Sequence, residues 1–147
     1  MMQIRAFGRD DTDRVIQLWE DCGLTRQWND PRKDIERKLT VQPDLFLVGD
    51  EDGRAIATAM FGFDGHRGWV SYLAVDPAHR GQRHAAALMA EGERRLIELG
   101  CPKVMLMVRA ENTAVVGLYE HLDYVTEATL LMGKRLIPDQ QTPPALS

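Results

Sequence analysis

The residues with the clearest chemical potential lie between Ser71 and Ala85. An apolar run, Ser71 to Val75, is followed by a tight Asp76-Pro77 turn and then by Arg80-Gly81-Gln82-Arg83-His84-Ala85, which opens a long helical pattern. Strand, turn and helix start in that order make an anion site. The first-turn amides of a helix have no intrahelical acceptor, and the helix dipole places partial positive charge at that end. Backbone would therefore hold a pyrophosphate, with Arg80 and Arg83 adding charge. Taken alone, the same segment also suits a solvated basic helix start, because short glycine-containing motifs recur without function. Tyr119, on a later helical stretch, taken alone reads as a packing residue with its hydroxyl at the rim.

Several elements must position these residues. Met2 to Phe7 reads as a strand, and Asp10 or Asp11 can cap a helix carrying Val15, Leu18, Trp19 and Cys22 at helical spacing. After the loop Gly23 to Asn29, Asp30-Pro31 starts a second helix whose buried face is Ile35 and Leu39. Asp44 to Gly49 and Arg54 to Phe63 are strands around the turn Asp50-Glu51-Asp52-Gly53, and the turn Asp64 to Gly68 leads into a strand from Trp69 to Val75. Ala85, Leu88, Gly92, Leu96 and Leu99 recur at helical spacing, so a long helix runs to near Gly100. Lys103 to Val108 is a strand. Asn112 caps a helix through Leu122 with Val115, Leu118 and Leu122 inward, and two strands follow from about Tyr124 to Leu136. Residues 1–137 are expected to form one domain, and 138–147 a flexible tail too polar and proline-rich to offset its chain entropy.

Composition narrows the function classes. The chain has 147 residues, 44% hydrophobic and 27% charged, as an ordinary globular protein does. Its net charge is −4, from 18 basic and 22 acidic side chains. That argues against nucleic acid as a partner, since phosphate binding needs clustered cations. No run is long and apolar enough to span a bilayer, and MMQIRAFGRDD lacks a signal-peptide hydrophobic region, so no membrane partner and a cytoplasmic location are expected. Cys22 and Cys101 read as buried reduced thiols. His66, His79, His84 and His121 are scattered, and no metal is expected.

LAVDPAHRGQRHAAALM resembles the acetyl-coenzyme A signature of the GNAT superfamily of N-acetyltransferases, Gln/Arg-x-x-Gly-x-Gly/Ala after a strand ending in Val-x-Pro. Arg80 and Ala85 match; Arg83 stands where the family has glycine, and His84 where it has an aliphatic residue. Downstream, ENTAVVGLYEHLDYV resembles the family's Asn and Tyr-Glu-x-x-Gly-Phe/Tyr segment, with Asn112 and Tyr119 matching and Asp123 replacing a glycine. The details WNDP, DGHRG and GKRLIPD resemble small bacterial members of the YpeA type, close to the ribosomal-protein N-terminal acetylases.

The resemblance implies an α/β (α+β) GNAT fold: a central mixed, mostly antiparallel twisted sheet with splayed middle strands and helices on both faces. It implies acetyl-coenzyme A as co-substrate, held by Leu73, Ala74, Val75, Arg80, Gly81, Gln82, Arg83, His84, Ala85, Asn112 and Tyr119. Asn112 would hold the pantetheine arm. Leu73 N–H would meet the thioester oxyanion, and Tyr119 would protonate the leaving thiolate. Trp28, Asn29 and Asp30 would border the acceptor, a peptide N-terminus or small amine, although Trp28 as a core anchor and Asp30 as a cap compete with that reading. The N-terminal acetylases carry a Glu where Met107 stands, which leaves Asp64, His66, Glu20 or a water near Ser71 and Tyr72 as candidate bases. A non-catalytic acyl-coenzyme A sensor is the alternative, and an edge strand near the C-terminus would suit a homodimer.

Overall fold

A computed structural model describes residues 1–139. Five strands hydrogen-bond in sequence order: β1 (Gln3–Ala6), β2 (Phe46–Glu51), β3 (Arg54–Phe63), β4 (Gly68–Val75) and β5 (Val104–Leu106). The first four pair antiparallel and β5 lies parallel to β4, so the sheet is mixed. Helices α1 (Thr12–Asp21) and α2 (Pro31–Lys38) bring Val15, Leu18, Trp19 and Ile35 onto one face, with Phe46, Val48, Ala55 and Ala74. Helices α3 (His84–Glu98) and α4 (Thr113–His121) cover the other, where Leu88, Met89, Leu96 and Tyr119 meet Leu47, Ala57, Ala59 and Phe61. Helices on both faces are as expected.

Local chemistry explains most boundaries. Asp30 caps α2, its carboxylate accepting from the Arg32 amide at 2.9 Å, with Pro31 at the first helical position. Asp52 and Gly53, both at positive φ, turn the β2–β3 hairpin. Asp11 differs from expectation. Its carboxylate reaches back to the Gly8 amide at 2.9 Å and is gripped by Arg5, closing a short 3-10 turn ahead of α1 rather than capping α1 itself.

On α4 the inward face is Val115, Tyr119 and Leu122; Leu118 is only half-buried and lies outside that core cluster. On α3, Leu99 is exposed and Met89 takes its place in the core. Gly92 is buried there because the Phe61 ring occupies the space a side chain would need, 2.1 Å from an added Cβ.

Among the described residues the two strands expected from Tyr124 to Leu136 do not form. The segment runs without ladder bonds, and Val125, Leu130, Leu131, Met132, Leu136 and Ile137 are exposed. Strand propensity makes a strand only where an edge accepts it in register. Here polar clasps fix the chain instead: Tyr124 Oη donates to Glu93 at 2.6 Å, Lys103 pairs with Glu127, and Arg135 donates to Trp28 O and Asn29 Oδ1.

Asp139 also departs from the expected loose tail. Its carboxylate is buried, bonded by Arg37 at 2.5 Å and by the Asp30 amide at 2.9 Å, and these hold its pKa down at about 2, Arg37 contributing most. Residues 140–147 of that tail lie outside the described residues. Among the described residues no helix is long and apolar enough to cross a membrane.

Gly92→Ala should lower the denaturant midpoint. The alanine gains up to about 1 kcal/mol of helix propensity, but overpacking against Phe61 costs about 1–3 kcal/mol, so a net loss is expected and an unchanged or raised midpoint would contradict this packing.

Candidate active site

The site begins where β4 and β5 part. They pair only at Gly68, Trp69 and Val70 against Val104, Met105 and Leu106; β4 then continues to Val75 without that partner. A bulge lies just beyond the last pair. Met60 pairs with Ser71 and Thr58 with Ala74, so Tyr72 and Leu73 together oppose the single residue Ala59. Val70 and Leu73, three residues apart, consequently pack on the same face, while Tyr72 and Ala74 pack on the other. Tyr72 takes φ 52°, a left-handed conformation that costs an aromatic residue roughly 1–3 kcal/mol.

The bulge aims one amide. Asp76 N donates to Ile56 O of β3 at 2.8 Å, and alternation along the strand turns the Ala74 amide the same way. The Leu73 and Val75 amides therefore face the opposite edge, where β5 has withdrawn. Leu73, Val75, Leu106 and Val108, all partly buried against the α3/α4 core, give the gap apolar walls.

The segment Arg80 to Ala85, the candidate anion cradle, follows the same end of β4. Asp76 organises the turn, its carboxylate accepting from the Ala78 amide at 2.8 Å and pairing with Arg14; these two contacts, the amide first, hold it below the usual carboxylate range. Gly81 takes φ 81° and Arg83 φ 63°. Among the described residues no side chain caps α3 and no acid stands in its first turn, where the amides of His84, Ala85 and Ala86 have no intrahelical acceptor. Arg80 folds back, its Nε donating to Val75 O at 3.3 Å and its Nη2 lying 3.5 Å from Cys22 Sγ, so its charge borders the strand end. Gln82 Oε1 meets His84 Nε2 at 3.1 Å. Cys22 is half-buried and Cys101 buried, both as free thiols.

Helix α4 follows β5 in the chain. Asn112 Oδ1 caps it by accepting from the Val115 amide at 3.4 Å. The Tyr119 ring is buried in the α3/α4 core, edge-on to Tyr124 at 5.7 Å, and burial pushes its phenol up to about 12. Asp123, the other residue at a family glycine position, takes φ 70°.

The remaining candidates divide. Asp64 and His66 occupy the turn that enters β4, about 16 Å along the strand from Leu73. Asp64 accepts from the Arg67 amide at 2.7 Å and the His66 amide at 2.8 Å, which hold its carboxyl below the usual range. The structure does not bring this pair to the gap. Met107, just past β5, and Glu20 are exposed. Trp28 is 60% exposed, so it is not a core anchor; Asn29 and Asp30 flank it in the α1–α2 loop. Tyr72 Oη donates to Asp34 Oδ2 at 2.6 Å, a contact that sequence reading missed, as it missed Thr58, whose one signal is a threonine inside the apolar run Ala55 to Phe61.

The profile of the Acetyltransferase (GNAT) family matches residues 12–124. The chain belongs to that family. An acetyltransferase of Yersinia pestis (strain Pestoides F) is 53% identical over 140 residues, covering 95% of this chain and 99% of the relative. Among solved structures, Ard1 from Thermoplasma volcanium is similar at TM-score 0.78 and 22% identity, covering 86% of this chain and 84% of that one. AAC(6')-Iy in complex with the bisubstrate analog CoA-S-monomethyl-acetylneamine is similar at TM-score 0.76 and 20% identity, covering 92% and 99%. This acetyltransferase is therefore an acyl-transferring enzyme on the GNAT fold, with its bulge, gap and uncapped helix start gathered at one end of the sheet.

Arg83→Gly should leave coenzyme A affinity equal or tighter by calorimetry, with stability changed by less than about 1 kcal/mol, because relief of left-handed strain is offset by the looser unfolded chain. A large loss of affinity would instead make Arg83 a phosphate ligand.

Proposed function

We propose that this acetyltransferase draws its acetyl group from acetyl-coenzyme A and passes it directly to a primary amine, on a peptide N-terminus or a small molecule. One observation carries the reading: β5 parts from β4 beside the Leu73 amide, and the uncapped start of α3 follows β4 from that same end. Coenzyme A fits such an arrangement because it is an anion at one end and a long, weakly polar arm at the other. The pyrophosphate would lie on the amides from Gly81 to Ala85, helped by the charge of Arg80, with the arm between Leu73 to Val75 and Asn112. The bisubstrate analog bound to AAC(6')-Iy, a coenzyme A joined to an amine-derived group, supports the pairing of donor and acceptor.

The neutral amine nitrogen attacks the thioester carbonyl carbon, and the charge gathering on the carbonyl oxygen meets Leu73 N–H. Collapse breaks the carbon–sulfur bond and the amine's proton leaves. The thiolate then takes the Tyr119 proton, which is regained from solvent. A phenol pushed up to about 12 keeps its proton through the whole working range, so it has one to give when the thiolate departs. Trp28, Asn29 and Asp30 border the acceptor side, and the exposed Trp28 ring offers a face to a cationic amine. Asp64 and His66, at the far end of β4, take no direct part.

Tyr119→Phe should lower kcat by about 100-fold while acetyl-coenzyme A affinity stays within about threefold, as loss of a positioned acid does. Because the Tyr119 pKa is raised, the rate of the natural enzyme should rise with pH as the acceptor amine is deprotonated and should not fall again before about pH 11. A descending limb near pH 10 that vanishes in Tyr119→Phe, or a variant with full turnover, would overturn the assignment of the acid.

A further inference from the structure

We propose that Thr58, Trp19, Tyr72 and Asp34 form a clamp that holds the β4 bulge from the α1/α2 side and so positions the Leu73 amide; the proposal rests on the oxyanion role given to that amide above.

Among the described residues, Tyr72 is the one non-glycine residue at positive φ inside a strand; Gln42, Asp52, Arg83 and Asp123 all lie in turns or beside helix ends. A bulky ring does not hold that conformation unless its surroundings compel it. Three contacts do so here. The Tyr72 ring stacks on Trp19, centroids 3.8 Å apart and planes at 14°. Its hydroxyl donates to Asp34 on α2 at 2.6 Å. Its carbonyl accepts from Thr58 Oγ1 at 2.8 Å, and the same Thr58 oxygen accepts from Trp19 Nε1 at 2.9 Å.

Thr58 is the hinge of this network. It is wholly buried and lies where the β3–β4 register shifts, opposite Ala74. Its hydroxyl gives one hydrogen bond and receives another, a use that valine of the same shape cannot reproduce. The carbonyl it holds belongs to the peptide whose N–H is that of Leu73. A trans peptide is planar, with C=O and N–H pointing opposite ways, and every peptide among the described residues is trans. Holding the Tyr72 oxygen toward β3 therefore drives the Leu73 hydrogen toward the gap. These are positioning residues, acting through one peptide plane.

The test compares Thr58→Val, Thr58→Ser and Tyr72→Phe in the full chain. Thr58→Val should lower kcat by about 100-fold, as displacement of a catalytic group by about 1 Å does, with the KM for acetyl-coenzyme A within about twofold. Thr58→Ser, which keeps the hydroxyl, should restore most of the rate, and Tyr72→Phe, which frees only the Asp34 end, should lose less. Full kcat in Thr58→Val, or a parallel loss of kcat and coenzyme affinity that serine fails to rescue, would overturn the clamp. Amide resonances separate the two layers. If acetyl-coenzyme A shifts the Leu73 resonance of the natural chain no more than coenzyme A does, the oxyanion role fails. The clamp is then judged by Tyr72 and Leu73 amide exchange, which should quicken in Thr58→Val; unchanged exchange would overturn it. Should Thr58→Val not fold, the same exchange is measured in Tyr72→Phe, where quickening is again expected and unchanged exchange again overturns the clamp.

Discussion

The parting of β4 from β5 is the constraint on which the rest of this molecule depends. A parallel pair that continued past Val70 and Leu106 would occupy every amide on the facing edges and leave no space between them. Two features keep it from continuing: β5 is three residues long, and an extra residue at Tyr72–Leu73 shifts the facing of β4 just beyond the last pair. The extra residue leaves strained backbone and an amide aimed at a gap. Helix α3 follows β4 from that end, and α4 follows β5.

Buried aromatic packing supports the strained backbone. Phe7, Phe46, Trp19 and Tyr72 form a run of near-parallel rings under α1, with successive centroids 4.4, 6.1 and 3.8 Å apart. The run ends on the bulge. On the other face, Gly92 lets α3 close onto Phe61, bringing the core that buries Tyr119 against the sheet. The two faces thus have different tasks: one holds the Tyr72–Leu73 bulge, the other buries the Tyr119 ring.

Much of this was legible in the residues. The strand-turn-helix unit and the Asn112 cap follow from local patterns, and Arg83 and Asp123, which stand where glycine is usual, occupy left-handed backbone at φ 63° and 70°. What was not legible depended on contacts across the fold. Apolar residues after Tyr124 read as strands, yet a strand needs a receiving edge, and the segment is held by Glu93, Lys103 and the α1–α2 loop instead. Asp139 looked like part of a loose polar tail because its partners, Arg37 and the Asp30 amide, are about a hundred residues away in sequence. Asp64 and His66 are candidates by their nearness to β4 in sequence. A turn that enters a strand, however, cannot share an end with the motif that leaves it.

The placement of the coenzyme in the gap between β4 and β5 is tested by a crystal structure of the chain with acetyl-coenzyme A. The pyrophosphate should lie on the amides between Gly81 and Ala85 and the pantetheine arm in the gap between β4 and β5. The thioester oxygen should stand within hydrogen-bond distance of Leu73 N, with the sulfur facing the Tyr119 hydroxyl. A coenzyme bound outside the gap, or a thioester oxygen on a donor other than the Leu73 amide, would contradict it.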